Sequence, residues 1–395
     1  MTRILFDPEQ FLPYAKENNI PQFRRKQIMQ GVFKDAYTTI DQISTLPKDL
    51  REKLTADGFV ISTLQKENII DSTESTKFLF KLADGNLIET VVMYHWHQIG
   101  QHNQRKILRS WTGATITPET HKLNRITVCI SSQVGCAVGC IFCVTGKLGF
   151  KKNLHRTEMI MQLLVVNEFI KERFGKKEDG TLHRLRNVVF MGMGEPLLNY
   201  DHMKISIQHM LDQQALGLSK RHITISTSGV ASAIQKLVEE GIDVRLALSL
   251  HAPNQPLREE LIPMIAKRWP LDELMKTIDT YTASTKNRIF YEYIMIKNKT
   301  DTALIAHQLG KLLKQRDAHV NLIPYNENPA MPELETSEYT TILAFKKIVA
   351  DYGVTVTVRD TLGREVKGAC GQLGYEKVQE TMELQKNHDH HEQQK

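Results

Sequence analysis

Cys136, Cys140 and Cys143 stand as C-x3-C-x2-C directly after a β-rich run. Three thiolates at this spacing, on a loop able to wrap, suit a cubane iron–sulfur cluster, whose four irons usually take four cysteines. No fourth cysteine stands close by, so one iron would stay open to a small molecule, as catalytic zinc sites keep an open position and structural ones do not. Zinc with a distant fourth ligand is the alternative for the same three residues. Two more cysteines complete the five in the chain: Cys129, seven residues before the loop, and Cys370, between small residues in GACGQL. A buried structural thiol is the ordinary reading of either.

The cysteine loop resembles the signature of the radical S-adenosylmethionine superfamily, down to the aromatic Phe142 before its last cysteine. That resemblance implies a [4Fe-4S] cluster whose open iron chelates S-adenosylmethionine. Further segments fit a cofactor wall. Phe190–Pro196 (FMGMGEP) brings Gly194 for close backbone approach and Glu195 as a carboxylate for the cofactor's ammonium. STSG and SLHAP offer the hydroxyls of Ser226 and Ser249 and, past Leu250, the imidazole of His251. LIPYN ends on Asn326, whose amide can hydrogen-bond an adenosine. Singly, these are a tight turn with a capping acid, helix N-caps and a turn Asn.

Positioning such residues on one rim requires a particular scaffold. Strands are expected at Ile126–Ser132, Asn187–Met193, His222–Thr227, Val244–Leu250, Arg288–Ile296 and Val320–Pro324, with helical patterns between them. Alternation of this kind argues for an α/β fold, a partial (βα)6 barrel with right-handed crossovers, in which function gathers at the C-terminal strand ends. The motifs fall at those ends. Residues 1–75 read as a small helical N-terminal domain for binding RNA, with a basic cluster at Arg24, Arg25 and Lys26. Residues 76–120 read as a β-hairpin around Asp84-Gly85 and a linker, 121–335 as the barrel, 336–375 as a C-terminal extension carrying Cys370, and 376–395 as a disordered tail.

The 395 residues, 41% hydrophobic and 24% charged, exclude a peptide, a low-complexity chain and a collagen-like one. Net charge +6 leans modestly toward a polyanionic partner. No apolar run reaches the roughly 18 residues of a membrane span and no signal-peptide core is visible, so a cytoplasmic protein without membrane contact is expected.

Taken together, VCISSQVGCAVGCIFCVTG, GFKKNL, FMGMGEPLLN, STSGV, SLHAP, LIPYN and ACGQL resemble the RlmN/Cfr family of adenosine methyltransferases, from about Leu87 to Leu373. The GMGEP, STSG, SLHAP and LIPYN segments lie nearer the RlmN branch, whose product is 2-methyladenosine, than the Cfr branch, which methylates carbon 8. The resemblance implies 23S rRNA as substrate and tRNA as a second one, and two S-adenosylmethionine molecules used in turn through an S-methyl group on Cys370. It gives Cys129 the part of resolving thiol, by a transient Cys129–Cys370 disulfide, and Glu89 that of proton acceptor; which of Cys129 and Glu89 takes the C2 proton stays open. An external one-electron donor such as flavodoxin or ferredoxin, and a monomeric state, complete the expectation. Val144-Thr145-Gly146 departs from the usual RlmN sequence after the cluster loop. A small-molecule radical enzyme and a zinc- or cluster-stabilised RNA-binding protein are the other classes; sulfur insertion would need cysteines for a second cluster, and a structural site gives no reason for GMGEP, STSG and SLHAP to occur in that order.

Overall fold

The computed structural model describes residues 2–98, 121–328, 330–359 and 362–374. Its core is one ten-stranded sheet. Seven parallel strands run in spatial order: β6 (His121–Cys129), β9 (Asn187–Phe190), β10 (Ile223–Thr227), β11 (Arg245–Ser249), β12 (Ile289–Met295), β13 (Ala318–Pro324) and β14 (Thr355–Val358). The first six are the strands expected from sequence, and the parallel set continues into β14. Beyond β6 the sheet turns antiparallel through β5 (Leu87–Gln98), β4 (Ser75–Lys81) and β3 (Gln65–Asp71).

Strand alternation explains the layering. Val128, Val188, Ile225, Leu246, Leu248 and Val320 face outward and are fully buried under the crossover helices. The opposite, inner face is polar. Cys129, Val189, Thr224 and Arg245 lie abreast in register across β6, β9, β10 and β11. Ser249, Glu292, Asn321 and Thr357 form a second row toward the C-terminal strand ends. A parallel sheet normally buries both faces, so an open inner face lined with hydroxyls and charges marks where a ligand lies.

The expected helices are present, including Arg156–Phe174, Tyr200–Leu211, Leu271–Thr285 and Ala303–Leu313. Two short ones, Gln255–Leu261 and Pro263–Arg268, were not foreseen; each starts at or just before a proline and is too short to show a helical period. The hairpin is as expected, with Leu82 and Asn86 closing the turn at Gly85.

The N-terminal region differs in two ways from a purely helical reading. Its helices Pro8–Glu17, Gln22–Met29 and Lys48–Ala56 pack with a two-stranded parallel ribbon, β1 (Arg3–Ile4) and β2 (Phe59–Val60), too brief to leave a period-two pattern. Residues 65–71, placed in the helical domain from sequence, form β3; this edge strand is exposed and mostly polar, so it carries no hydrophobic alternation. Residues 99–120 of the linker and the tail at 376–395 lie outside the described residues. Among the described residues no helix is long and apolar enough to cross a membrane.

Arg156, at the start of its helix, joins the N-terminal region to the barrel. Its guanidinium contacts Glu9 and sits 3.1 Å from Asp7, which caps helix Pro8–Glu17 and is 1% exposed. Removing one partner of a buried pair strands the other charge, at a cost of about 3–5 kcal/mol. Arg156→Ala is therefore expected to lower the urea midpoint sharply, and Arg156→Ala/Asp7→Asn to regain part of the loss. A single-variant midpoint equal to wild type would show that the clamp carries no stability.

Candidate active site

The three loop cysteines are held at the base by a short ribbon. β7 (Gln133–Gly135) and β8 (Phe150–Asn153) pair antiparallel on either side of the loop, and the Cys136 amide donates to the Gly149 carbonyl at 3.0 Å. Gly135 has φ +73°, and a Cβ there would lie 1.7 Å from the Gly149 oxygen, so only glycine closes the loop. Cys136, Cys140 and Cys143 line one cavity of about 160 Å³.

Burial pushes all three thiols up, Cys136 to about 12 and Cys140 well above its ordinary value; the Cys143 charge raises Cys136 and Cys140 further, and the Cys370 charge raises Cys143. Three such thiolates need positive charge beside them. Among the described residues no three His, Cys, Asp or Glu side chains converge as a single-ion site. A cubane cluster fits that arrangement better than zinc does, because it spreads its thiolates over separate irons.

The cavity wall is built from strand ends. Gly194, at φ +99°, brings the backbone against Gln133, where a Cβ would meet the Gln133 side chain at 2.5 Å. Glu195 lines the cavity and also caps the short 3-10 turn Pro196–Asn199: one oxygen accepts from Leu197 N–H at 3.1 Å, the other from the Ser228 N–H and hydroxyl, each at 2.7 Å. The capping and the wall readings of this acid hold together. Ser226, Ser249 and His251 are on the same wall.

His251 has left-handed backbone, φ +57°, and its Nδ1 accepts the Ile294 N–H at 3.1 Å. The ring's proton is thereby placed on Nε2, while Phe142 packs edge-on at 4.9 Å. Burial, reinforced by the nearby Arg258 charge, pulls His251 down to about 3. Its folded value lies below that of an unfolded histidine, so its contribution is complete above about pH 6.5 and is lost as pH falls toward 3. His251→Asn keeps a residue tolerant of positive φ and removes the titration. Its urea midpoint is expected to fall less than that of wild type between pH 6.5 and 4; parallel profiles would contradict the assignment.

Leu250 is fully buried and lies outside the cavity lining; its carbonyl accepts from Arg258 at 2.7 Å. Asn326 stands behind the wall: its Nδ2 donates to the Cys370 carbonyl at 3.0 Å, and its Oδ1 accepts from Arg364. Cys370 faces the same cavity as the cluster cysteines. Its loop is docked by Val144 N–H on the Gly371 carbonyl (2.9 Å), the Thr145 hydroxyl on the Leu373 carbonyl (2.8 Å), and Gly374 N–H on Glu89 Oε2 (2.7 Å).

Glu89 lies outside the cavity lining, beneath this loop, with its other oxygen 3.2 Å from Lys77 Nζ in a buried pair. Cys129, at the end of β6, also lies just outside the lining. Burial and, after it, the charge of Cys370 raise its thiol to about 12, so the two sulfurs are electrostatic neighbours; both are free thiols.

Two charged lining residues escaped sequence reading. Glu292 and Arg359 pair at 3.3 Å on the inner face, and Arg359 is held further toward its charged form by Cys370, Glu292 and Cys129. Glu292 did leave a signal, one carboxylate inside the apolar strand IFYEYIM.

Residues 130–307 match the Radical SAM superfamily. The chain is 38% identical over 374 residues to a probable dual-specificity RNA methyltransferase RlmN of Dictyoglomus thermophilum, covering 94% of this chain and 97% of that one. It is 35% identical to the ribosomal RNA large subunit methyltransferase N of Nitrosopumilus maritimus, over 93% and 96% of the two. The crystal structure of a radical SAM methyltransferase from Sphaerobacter thermophilus superposes with a TM-score of 0.80 at 33% identity, over 94% of this chain and 98% of that one. Likeness of this extent, from the N-terminal helices through the Cys370 loop, means that the chain belongs to the RlmN family of radical SAM methyltransferases.

Proposed function

We propose that the protein methylates carbon 2 of an adenosine in 23S rRNA, and of an adenosine in tRNA, through an S-methyl group carried on Cys370. As an RlmN-family enzyme it is an RNA methyltransferase that works with a [4Fe-4S] cluster and S-adenosylmethionine. The observation that supports the specific reading is the placement of Cys370 in the cluster cavity, on a loop docked through its backbone. C2 of adenine bears no acidic hydrogen, so direct displacement of the cofactor's methyl does not reach it; the cluster and cofactor supply hydrogen-atom abstraction.

The chain's own residues divide the remaining work. Cys136, Cys140 and Cys143 hold the cluster, while Gly194, Glu195, Ser226, Ser249, Leu250 and His251 hold the cofactor. Asn326 acts through the Cys370 carbonyl, Cys129 resolves, and Glu89 fixes the Cys370 loop from below and is the carboxylate available as proton acceptor. In this reading residues 121–335 are the catalytic barrel, 336–375 deliver Cys370 and 1–75 assist RNA binding. The enzyme acts as a monomer with an external one-electron donor of the flavodoxin or ferredoxin kind.

RNA as substrate accords with the floor of the inner face. Arg125, midway along β6, gathers with Arg186, Arg221 and Arg245 near the N-terminal ends of β9, β10 and β11, and among the described residues Arg125 and His222 have only arginines as prominent charge neighbours. Arg125 lies four residues from Cys129, about 13 Å along the strand, a reach suited to phosphates flanking an unstacked adenosine. Arg186→Gln and Arg245→Gln are each expected to weaken RNA binding several-fold and to reduce the slope of log K against log salt by about 0.7–0.9. Unchanged slopes in both would remove this surface from the RNA path.

The test of the reaction itself is nucleoside mass spectrometry of unmodified rRNA and tRNA after anaerobic turnover. 2-Methyladenosine is expected. 8-Methyladenosine would move the protein to Cfr-type chemistry, and no methylated adenosine despite a loaded cluster would overturn the reading.

A further inference from the structure

Arg258 has the largest side chain among the fully buried described residues, at 0% exposure. It sits on helix Gln255–Leu261, directly behind the cysteine loop, whose Ile141 N–H donates to the Leu261 carbonyl at 3.1 Å. Its guanidinium donates to the carbonyls of Leu250 (2.7 Å), Ser249 (3.2 Å) and Ser228. Its Nε is enclosed without a partner.

Buried charges in proteins are paired or sit beside metals, yet among the described residues no carboxylate forms an ion pair with this one. Glu195 approaches only through Ser228, and its oxygens are taken by Ser228 and Leu197 N–H groups and the Ser228 hydroxyl. His251, the other titratable neighbour, is held neutral. Among the described residues the negative charge that acts on Arg258 is the Cys140 thiolate, on the loop that the Ile141–Leu261 bond ties to this helix.

We propose that Arg258 is the built-in counter-charge of the iron–sulfur cluster, a positioning residue that stabilises the reduced cluster and ties together the strand-end loops of the cofactor wall. This rests on the placement of the cluster on Cys136, Cys140 and Cys143. A cluster with three thiolates is anionic, and the electron delivered by the external donor adds one further negative charge. A fixed guanidinium in a low-dielectric site favours that reduced state. Its three carbonyl contacts, one past β10 and two at the end of β11, hold Ser228, Ser249 and Leu250 in place.

The experiment is an EPR-monitored potentiometric titration of anaerobically reconstituted full-length enzyme, with iron and sulfide counted in each sample. Arg258→Gln keeps a donor for the carbonyls and loses the charge. It is expected to carry a full cluster whose reduced-to-oxidised ratio at a fixed potential is about tenfold below wild type, about 59 mV for one electron. Arg258→Lys keeps the charge without the fork; it is expected to titrate within about twofold of wild type in that ratio (about 18 mV) and to bind S-adenosylmethionine more weakly. A fully loaded Arg258→Gln that titrates like wild type overturns the proposal. So does an Arg258→Lys enzyme with a tenfold lower ratio, which decides the matter even if the Gln variant does not assemble. Failure of wild type itself to hold iron and sulfide would instead fault the cluster placement.

Discussion

Cys370→Ala abolishes RNA methylation, by at least about 10⁴-fold, the order expected when an essential nucleophile is removed, while iron and sulfide content stay at the wild-type level. The second half of that expectation comes from how the loop is held. Asn326, Val144, Thr145 and Glu89 all grip it through backbone atoms of residues 370–374, and none of these bonds uses the Cys370 sulfur. Alanine therefore leaves the loop docked. The first half follows from chemistry. A methyl passed directly from methyl-trideuterated S-adenosylmethionine to RNA arrives with three deuteria. One carried on the Cys370 sulfur and activated by hydrogen abstraction loses one deuterium first and arrives with two. Mass spectrometry of the adenosine product is expected to show two deuteria from wild type and no methylated adenosine from Cys370→Ala. Three deuteria, or turnover by the variant, would refute a methyl carried on Cys370.

The parts of this site that could be read from sequence are those where residue type and spacing are themselves the chemistry. Three cysteines on one loop demand a metal group wherever the fold places them, and the six β-branched runs fix which ends those residues occupy. The outward faces of β6, β9, β10, β11 and β13 follow from Val, Ile and Leu at alternate positions. What stayed hidden depends on tertiary approach. Arg258 looks like any charged residue on a short helix until that helix is seen packed behind the cysteine loop. Arg359 ends a strand that only the register with β13 brings beside Cys370. Glu89 stands in a strand that reads as one edge of a hairpin, and nothing local reveals that its carboxylate accepts an amide from Gly374, 285 residues onward. The polar edge strand β3 lacks the burial that writes a period into sequence, and β1 and β2, two residues each, are too brief to show one.

Cys129→Ala is expected to convert the enzyme from a catalyst into a trap, with a covalent protein–RNA adduct accumulating toward one per protein. In the bond-breaking step, the Cys129 sulfur attacks the Cys370 sulfur. An S–S bond forms as the bond from sulfur to the methylene carbon breaks, and the electron pair left on that carbon takes a proton to give the methyl group. The geometry times this step. Burial, reinforced by the charge of a Cys370 thiolate, holds the Cys129 thiol near 12, where about one part in 10⁴ is ionised at pH 8. Once Cys370 is alkylated its sulfur carries no charge, that reinforcement ends, and Arg359 is left to favour the Cys129 thiolate. Resolution in wild type should therefore quicken with pH, toward tenfold per unit, up to the pH at which another step becomes slower. Labelled RNA that stays with Cys129→Ala on a denaturing gel, and not with Cys129→Ala/Cys370→Ala, is the expected result. Free turnover by Cys129→Ala without an adduct would show that the expulsion of Cys370 needs no second thiol.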